Sequence, residues 1–212
     1  MNTFYIIASH VAYHVPRLSL VKSMREHGVH SSRTCVVIGG AEQDLQQTID
    51  GVATTFVTHN SYDFTGMIAL VEGSVAVPSD CTHLVFLHDT MLFGPRSDYL
   101  FTAAPSGWWA VSADQDAACN LVRYSRGYIA AQSVSLLALK NCSKQTAIDM
   151  ERHFWRACQL ERRAKYANAR CDTLGEGTPY GETRRLREYY PAVDITKWKA
   201  NWGANSNYTH AP

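Results

Sequence analysis

The sequence predicts an α/β fold with a mostly parallel central sheet, helices on its faces and an irregular C-terminal lid. Three observations carry this expectation. Short apolar runs, each stopped by glycine or polar residues, recur through the first half of the 212-residue chain. Segments with apolar residues at helical spacing separate them, and strands alternating with helices build a parallel sheet covered on both faces. From Asp172 onward, glycines, prolines, arginines and aromatics mix without a period, as in a segment that wraps over a finished core.

Phe4-Tyr5-Ile6-Ile7-Ala8-Ser9 is a continuous apolar run, the pattern of a strand buried on both faces. Pro16 heads a helix in which Leu18, Val21 and Met24 recur at helical spacing, and Gly28 supplies its stop. Thr34 to Ile38 is the second strand, ended by Gly39-Gly40, and a short helix is expected over residues 42–49. Ala53 to Val57 reads as the third strand. Asp63 stands where it would cap a helix over residues 64–71 that Gly73 ends. His83 to Leu87 form a fourth strand that runs into His88-Asp89-Thr90, and Trp108 to Ala113 a fifth. Residues 121–132 are expected to hold one or two irregular strands around Gly127. Ser143 is placed to cap a long helix over residues 144–167, with Ala147, Met150, Phe154 and Cys158 along one stripe. The chain reads as a single domain, residues 1–212.

Composition excludes several classes. Twenty basic and nineteen acidic side chains leave a net charge of +1, which argues against a polybasic nucleic-acid partner. An apolar content of 46% with 18% charged residues is enough to bury a core, so disorder is not expected. No apolar run approaches the roughly 20 residues of a membrane span, and Met1-Asn2-Thr3-Phe4 lacks the basic start of a signal peptide. Cysteines 35, 81, 119, 142, 158 and 171 have no Cys-X-X-Cys and no regular spacing. They read as buried thiols of a reducing, cytoplasmic compartment. Gly-X-Gly-X-X-Gly, Gly-X-X-X-X-Gly-Lys-Ser/Thr, His-Glu-X-X-His and Gly-X-Ser-X-Gly are all absent.

In open α/β sheets, ligands bind beyond the carboxyl ends of the strands. That rule points to Ser9-His10, Gly39-Gly40, His59-Asn60 and His88-Asp89. In Leu84-Val85-Phe86-Leu87-His88-Asp89-Thr90 an apolar strand delivers one carboxylate to its tip. Mg²⁺ or Mn²⁺ is often held by one or two carboxylates together with substrate phosphates. Asp89 therefore reads either as the start of such a site or as a cap on the following turn.

The order of these pieces resembles the nucleotide-sugar glycosyltransferases of the GT-A fold, a Rossmann-related architecture. Phe4 to His10, His59-Asn60-Ser61-Tyr62-Asp63-Phe64-Thr65-Gly66 and Leu84 to Thr90 carry the likeness, over roughly residues 3–115. The family's Asp-X-Asp motif reads His88-Asp89-Thr90 here. The resemblance implies a nucleotide-sugar-binding half over residues 1–115, and an acceptor-side half with the C-terminal segment over residues 116–212. It also implies that Ser9, His10 and Asp63 contact base or ribose. Gly66 would allow close backbone approach, His88 would lie beside nucleotide or sugar, and Asp89 would hold Mn²⁺ or Mg²⁺ with His210 completing the metal shell. Arg184, Arg185, Arg187, Lys197 and Lys199 are candidates to neutralise the leaving diphosphate. An inverting reaction would need a base, for which Asp149 and Asp114 are the candidates, with Glu151 and Asp116 as rivals. Each residue has a plainer reading too: loop histidine, helix cap, packing glycine or solvated carboxylate. The implied activity moves a hexose or deoxyhexose from a nucleotide diphosphate donor, with UDP as carrier, to a glycan or glycoprotein acceptor. The competing expectation is a non-catalytic carbohydrate-binding module presenting Trp108, Trp109, Trp198 and Trp202.

Overall fold

Tyr5, Ile6 and Ile7 have no exposed surface, because their strand lies at the centre of a sheet covered on both sides. The computed structural model describes residues 2–103, 121–151, 154, 172–176, 186–191 and 193–199. Strand β1 (Asn2–His10) is followed by helix α1 (His14–Glu26) and strand β2 (Thr34–Gly39). Next come β3 (Leu45–Ile49), β4 (Val52–Phe56), a 3-10 turn (Tyr62–Phe64) and α2 (Thr65–Val71). Then follow β5 (Cys81–His88), β6 (Met91–Phe93) and α3 (Ser97–Ala103). Six strands form the main sheet in the order β3-β4-β2-β1-β5 and then β7 (Arg123–Ser125). Period-two alternation along β1 sends its side chains to two layers. Tyr5 meets Phe93 and Phe101 at 5.5 and 6.0 Å between ring centroids. Ile6 faces α2, where a Cβ on Gly66 would stand 3.0 Å from its Cγ2.

The expectation of a mostly parallel sheet is corrected. β4, β2, β1 and β5 run parallel, but β3 and β7 close both edges antiparallel. A second, wholly antiparallel sheet has the order β6-β10-β9-β8. Its strands β8 (Asp172–Glu176), β9 (Leu186–Tyr190) and β10 (Ile195–Lys199) occupy the stretch expected to be an irregular lid. The helix expected over residues 42–49 is also absent. Asp50 (φ +48°) and Gly51 (φ +74°) both take left-handed backbone, which makes the two-residue hairpin turn that pairs Ile49 with Val52 and Leu45 with Phe56. Residues 121–132 give one short strand, β7, and then helix α4 (Arg126–Ala131) rather than strands around Gly127. Helix α5 (Ser133–Leu137) follows. Ser143 does cap helix α6, residues 144–151, by accepting from the Thr146 N–H at 3.1 Å. Trp108 to Ala113, and the expected helix beyond residue 154, lie outside the described residues. Cys35 and Cys81 are free and buried, Cys142 is free and half-buried, and the other three cysteines lie outside the described residues. No helix among the described residues is long and apolar enough to cross a membrane.

Asp194 (φ +54°) ties the turn between β9 and β10 to the segment that joins β6 to α3. Its carbonyl accepts from the Gly94 N–H at 2.8 Å and from Ser97 Oγ at 2.7 Å. Its carboxylate accepts from Tyr189 Oη at 2.6 Å and from the Arg96 N–H at 2.9 Å. Hydrogen bonds to a charged group are each worth about 1.5–3 kcal/mol. Asp194→Ala is therefore expected to lower unfolding free energy by about 2–4 kcal/mol, read by urea denaturation. An unchanged midpoint would remove Asp194 as the tie.

Candidate functional site

The chain leaves β1 toward β2 and β4 on one side and returns to β5 on the other, with Ala8 opposite His88. The gap beyond β1 and β5 is therefore the sheet's switch point, where an open α/β sheet leaves a crevice. Ser9 and His10 end β1 there, and His88 and Asp89 end β5. The neighbouring loops are pinned to this edge. Val11 N–H donates to the Gly39 carbonyl at 3.1 Å, and Gly40 N–H to the His59 carbonyl at 3.2 Å.

Asp89 is the focus. It is 5% exposed, and its Oδ2 accepts from Ser9 Oγ at 2.8 Å across the two strands. Burial pushes its carboxyl up to about 7, and the Asp63 charge adds to the rise. The Ser9 hydrogen bond and the Arg17 guanidinium oppose it. Arg17 lies in the first turns of α1. Its Nη2 is 2.8 Å from His14 Nδ1, and its Nη1 is buried without a hydrogen-bond partner. Burial lowers the Arg17 pKa, and Asp89 raises it.

His88 points its Nε2 at Asp63 Oδ1 in a short contact. Burial pushes the imidazole down to about 4, Asp63 acts against this and Lys197 reinforces it. At neutral pH the ring is therefore uncharged, and Nε2–H donates to the Asp63 carboxylate. The cap reading of Asp63 is corrected: the cap of α2 is Phe64, with no side-chain cap bond, and Asp63 sits in the preceding 3-10 turn. Its role is to hold the loop after β4 against the end of β5.

The other expected residues divide. His10 Nδ1 accepts from the Ala12 N–H at 3.2 Å, and its ring covers Gly40 so closely that a Cβ there would stand 2.4 Å from Nε2. Gly40 has φ +75°, a backbone that favours glycine. Gly66 lies against Ile6, Phe86 and Ala8, which makes it a helix–sheet packing position. His59 is turned inward, 2% exposed, with Nδ1 3.3 Å from Ser61 Oγ and Nε2 3.7 Å from Glu72. Asp149 accepts from Gln145 Nε2 at 3.0 Å on the exposed surface of α6. Of the C-terminal cations, Lys197 lies close enough for its charge to lower the His88 pKa. Asp114, Asp116, Arg184, Arg185, Trp108, Trp109, Trp202 and His210 lie outside the described residues, as do the side chains of Arg187, Trp198 and Lys199.

Among the described residues, no three or more His, Cys, Asp or Glu side chains group as a metal centre. The donors present fit a one-carboxylate cation site: Asp89 alone, with one oxygen already bonded to Ser9 and the remaining ligands left to substrate. Two groups escaped the sequence reading. Arg17 carried one signal, its place at the start of the helix that follows β1. The pairing of His88 with Asp63 carried none, since 25 positions separate the two residues. Comparison of the chain with protein-family models, curated proteins and solved structures finds no match.

Because burial raises the Asp89 pKa above its unfolded value, the folded state holds a proton that the unfolded chain has lost. The stability tied to this group is present below about pH 4 and is lost as pH rises through about 7. Asp89→Asn is thus expected to match wild type near pH 4 and to exceed it at pH 8 by up to about 4 kcal/mol, the full shift at 1.36 kcal/mol per unit. Thermal melts across that range test this, and a constant offset would contradict it.

Proposed function

We propose that the protein is a glycosyltransferase that moves a hexose or deoxyhexose from a UDP-linked donor to a glycan or glycoprotein acceptor. The observation that carries the reading is the hydrogen-bonded pair of Ser9 and Asp89 at the switch point between β1 and β5. A nucleotide-binding α/β sheet needs polar groups at that place, and this chain keeps a buried carboxylate there at a desolvation cost. Since Ser9 spends its proton on Asp89, its oxygen presents lone pairs to a base N–H or a ribose hydroxyl. The contact of His88 Nε2 with Asp63 fixes the imidazole at the end of β5, beside this pair. Asp89 is the residue that would hold Mn²⁺ or Mg²⁺, and such an ion, when bound, acts as a Lewis acid for the departing diphosphate. Lys197, near His88, adds positive charge to the same region. If configuration is inverted, Asp149 or Asp114 takes the acceptor proton; the resemblance alone supports these two.

Anything that binds only the folded state raises its stability, by about 2.7 kcal/mol at a hundredfold excess over Kd. UDP with Mn²⁺ is expected to raise the melting temperature of the wild-type chain, and UDP-hexoses to do the same. Asp89→Ala should lose the Mn²⁺-dependent part of that gain and all turnover of the donor. A wild-type chain indifferent to UDP with and without Mn²⁺ would overturn the proposal. Binding of glycans alone, without nucleotide, would instead establish the carbohydrate-binding module.

A further inference from the structure

We propose that Arg17 is the direct diphosphate contact of this site, receiving a phosphate oxygen on its buried Nη1. The identity of the ligand rests on the glycosyltransferase reading; the anion site itself does not. Arg17 Nη2 is engaged by His14 Nδ1 at 2.8 Å, which holds the planar guanidinium in one orientation. Nη1 on the other arm is buried and has no acceptor. Among the described residues Arg17 makes no ion pair, and the first turn of α1 contains no acidic side chain. A buried donor left without a partner costs about 1–3 kcal/mol, and such a group calls for an explanation, such as an acceptor that arrives with a ligand.

The surroundings select the ligand's chemistry. Asp89 is near enough for its charge to support that of Arg17, yet the two side chains make no hydrogen bond. An anion meeting Arg17 therefore also meets the field of a buried carboxylate. A ligand with one negative group has little to gain between those opposed charges. A diphosphate spreads its charge over several oxygens. It can offer one phosphate to Arg17 and turn the rest toward Asp89 through a bridging cation or an adjoining sugar hydroxyl. Guanidinium forks suit phosphate oxygens better than a point ammonium does. Arg17 and Asp89 thus divide the work, one holding the anion and the other the cation or hydroxyl beside it.

Calorimetric titration of the full chain with Mg²⁺ present, with inorganic pyrophosphate, uridine and UDP as probes, tests this. Wild type should bind pyrophosphate, and Arg17→Gln should weaken both pyrophosphate and UDP at least tenfold while leaving uridine unchanged. Arg17→Lys should fall between them. Since Nη1 has no partner in the ligand-free fold, Arg17→Gln and Arg17→Met should melt no lower than wild type, which separates lost binding from lost folding. No pyrophosphate binding by wild type, or equal binding by Arg17→Gln, would overturn the assignment. Failure of the broader reading looks different: pyrophosphate binding would depend on Arg17, but UDP would bind no more tightly than pyrophosphate.

Discussion

A carboxylate taken out of water between the ends of two neighbouring parallel strands is the constraint around which this molecule is arranged. Asp89 is expensive to bury, and the Ser9 hydroxyl, one strand away, hydrogen-bonds it. That bond exists because β1 and β5 are adjacent and in register, with Ala8 opposite His88. Adjacency in turn follows from the apolar continuity of both strands, whose side chains are consumed by layers on each face. A slip of one residue would exchange the two faces and move Ser9 away from Asp89. The hydrophobic core is therefore what positions the polar pair.

Three polar links draw the loops of this edge together. Ser9 with Asp89 joins β1 to β5, His88 with Asp63 joins β5 to the turn ahead of α2, and Gly40 with His59 joins β2 to the loop after β4. The second sheet completes the frame. β6 begins two residues after Asp89 and pairs with β10, with Met91 opposite Lys197, so the late part of the chain reaches the charge environment of His88. The Asp194 contacts join its β9–β10 turn to the segment between β6 and α3.

The strands that position the site were legible because burial on both faces leaves unbroken apolar runs, as in Phe4 to Ala8 and Leu84 to Leu87. β3 was not, because an exposed edge strand such as Leu45-Gln46-Gln47-Thr48-Ile49 has little apolar pattern; Asp50-Gly51 was the clue to its hairpin. β10 was unreadable for a related reason. Its partner β6 lies about a hundred residues earlier, and long-range pairing leaves no local period. Asp63 illustrates the limit for site residues. A short-range rule makes it a cap, while the fold brings a histidine 25 positions later and claims the carboxylate. Serine, histidine and aspartate at strand tips could be found by position, but the orphaned nitrogen of Arg17 is a property of the packed molecule.

The most direct test is a crystal structure of the chain grown with UDP and Mn²⁺, with the manganese located by its anomalous scattering. The account predicts a single peak on the Asp89 carboxylate, with the diphosphate lying between it and the end of β1. Manganese and nucleotide bound elsewhere, with Asp89 still bonded to Ser9, would contradict it.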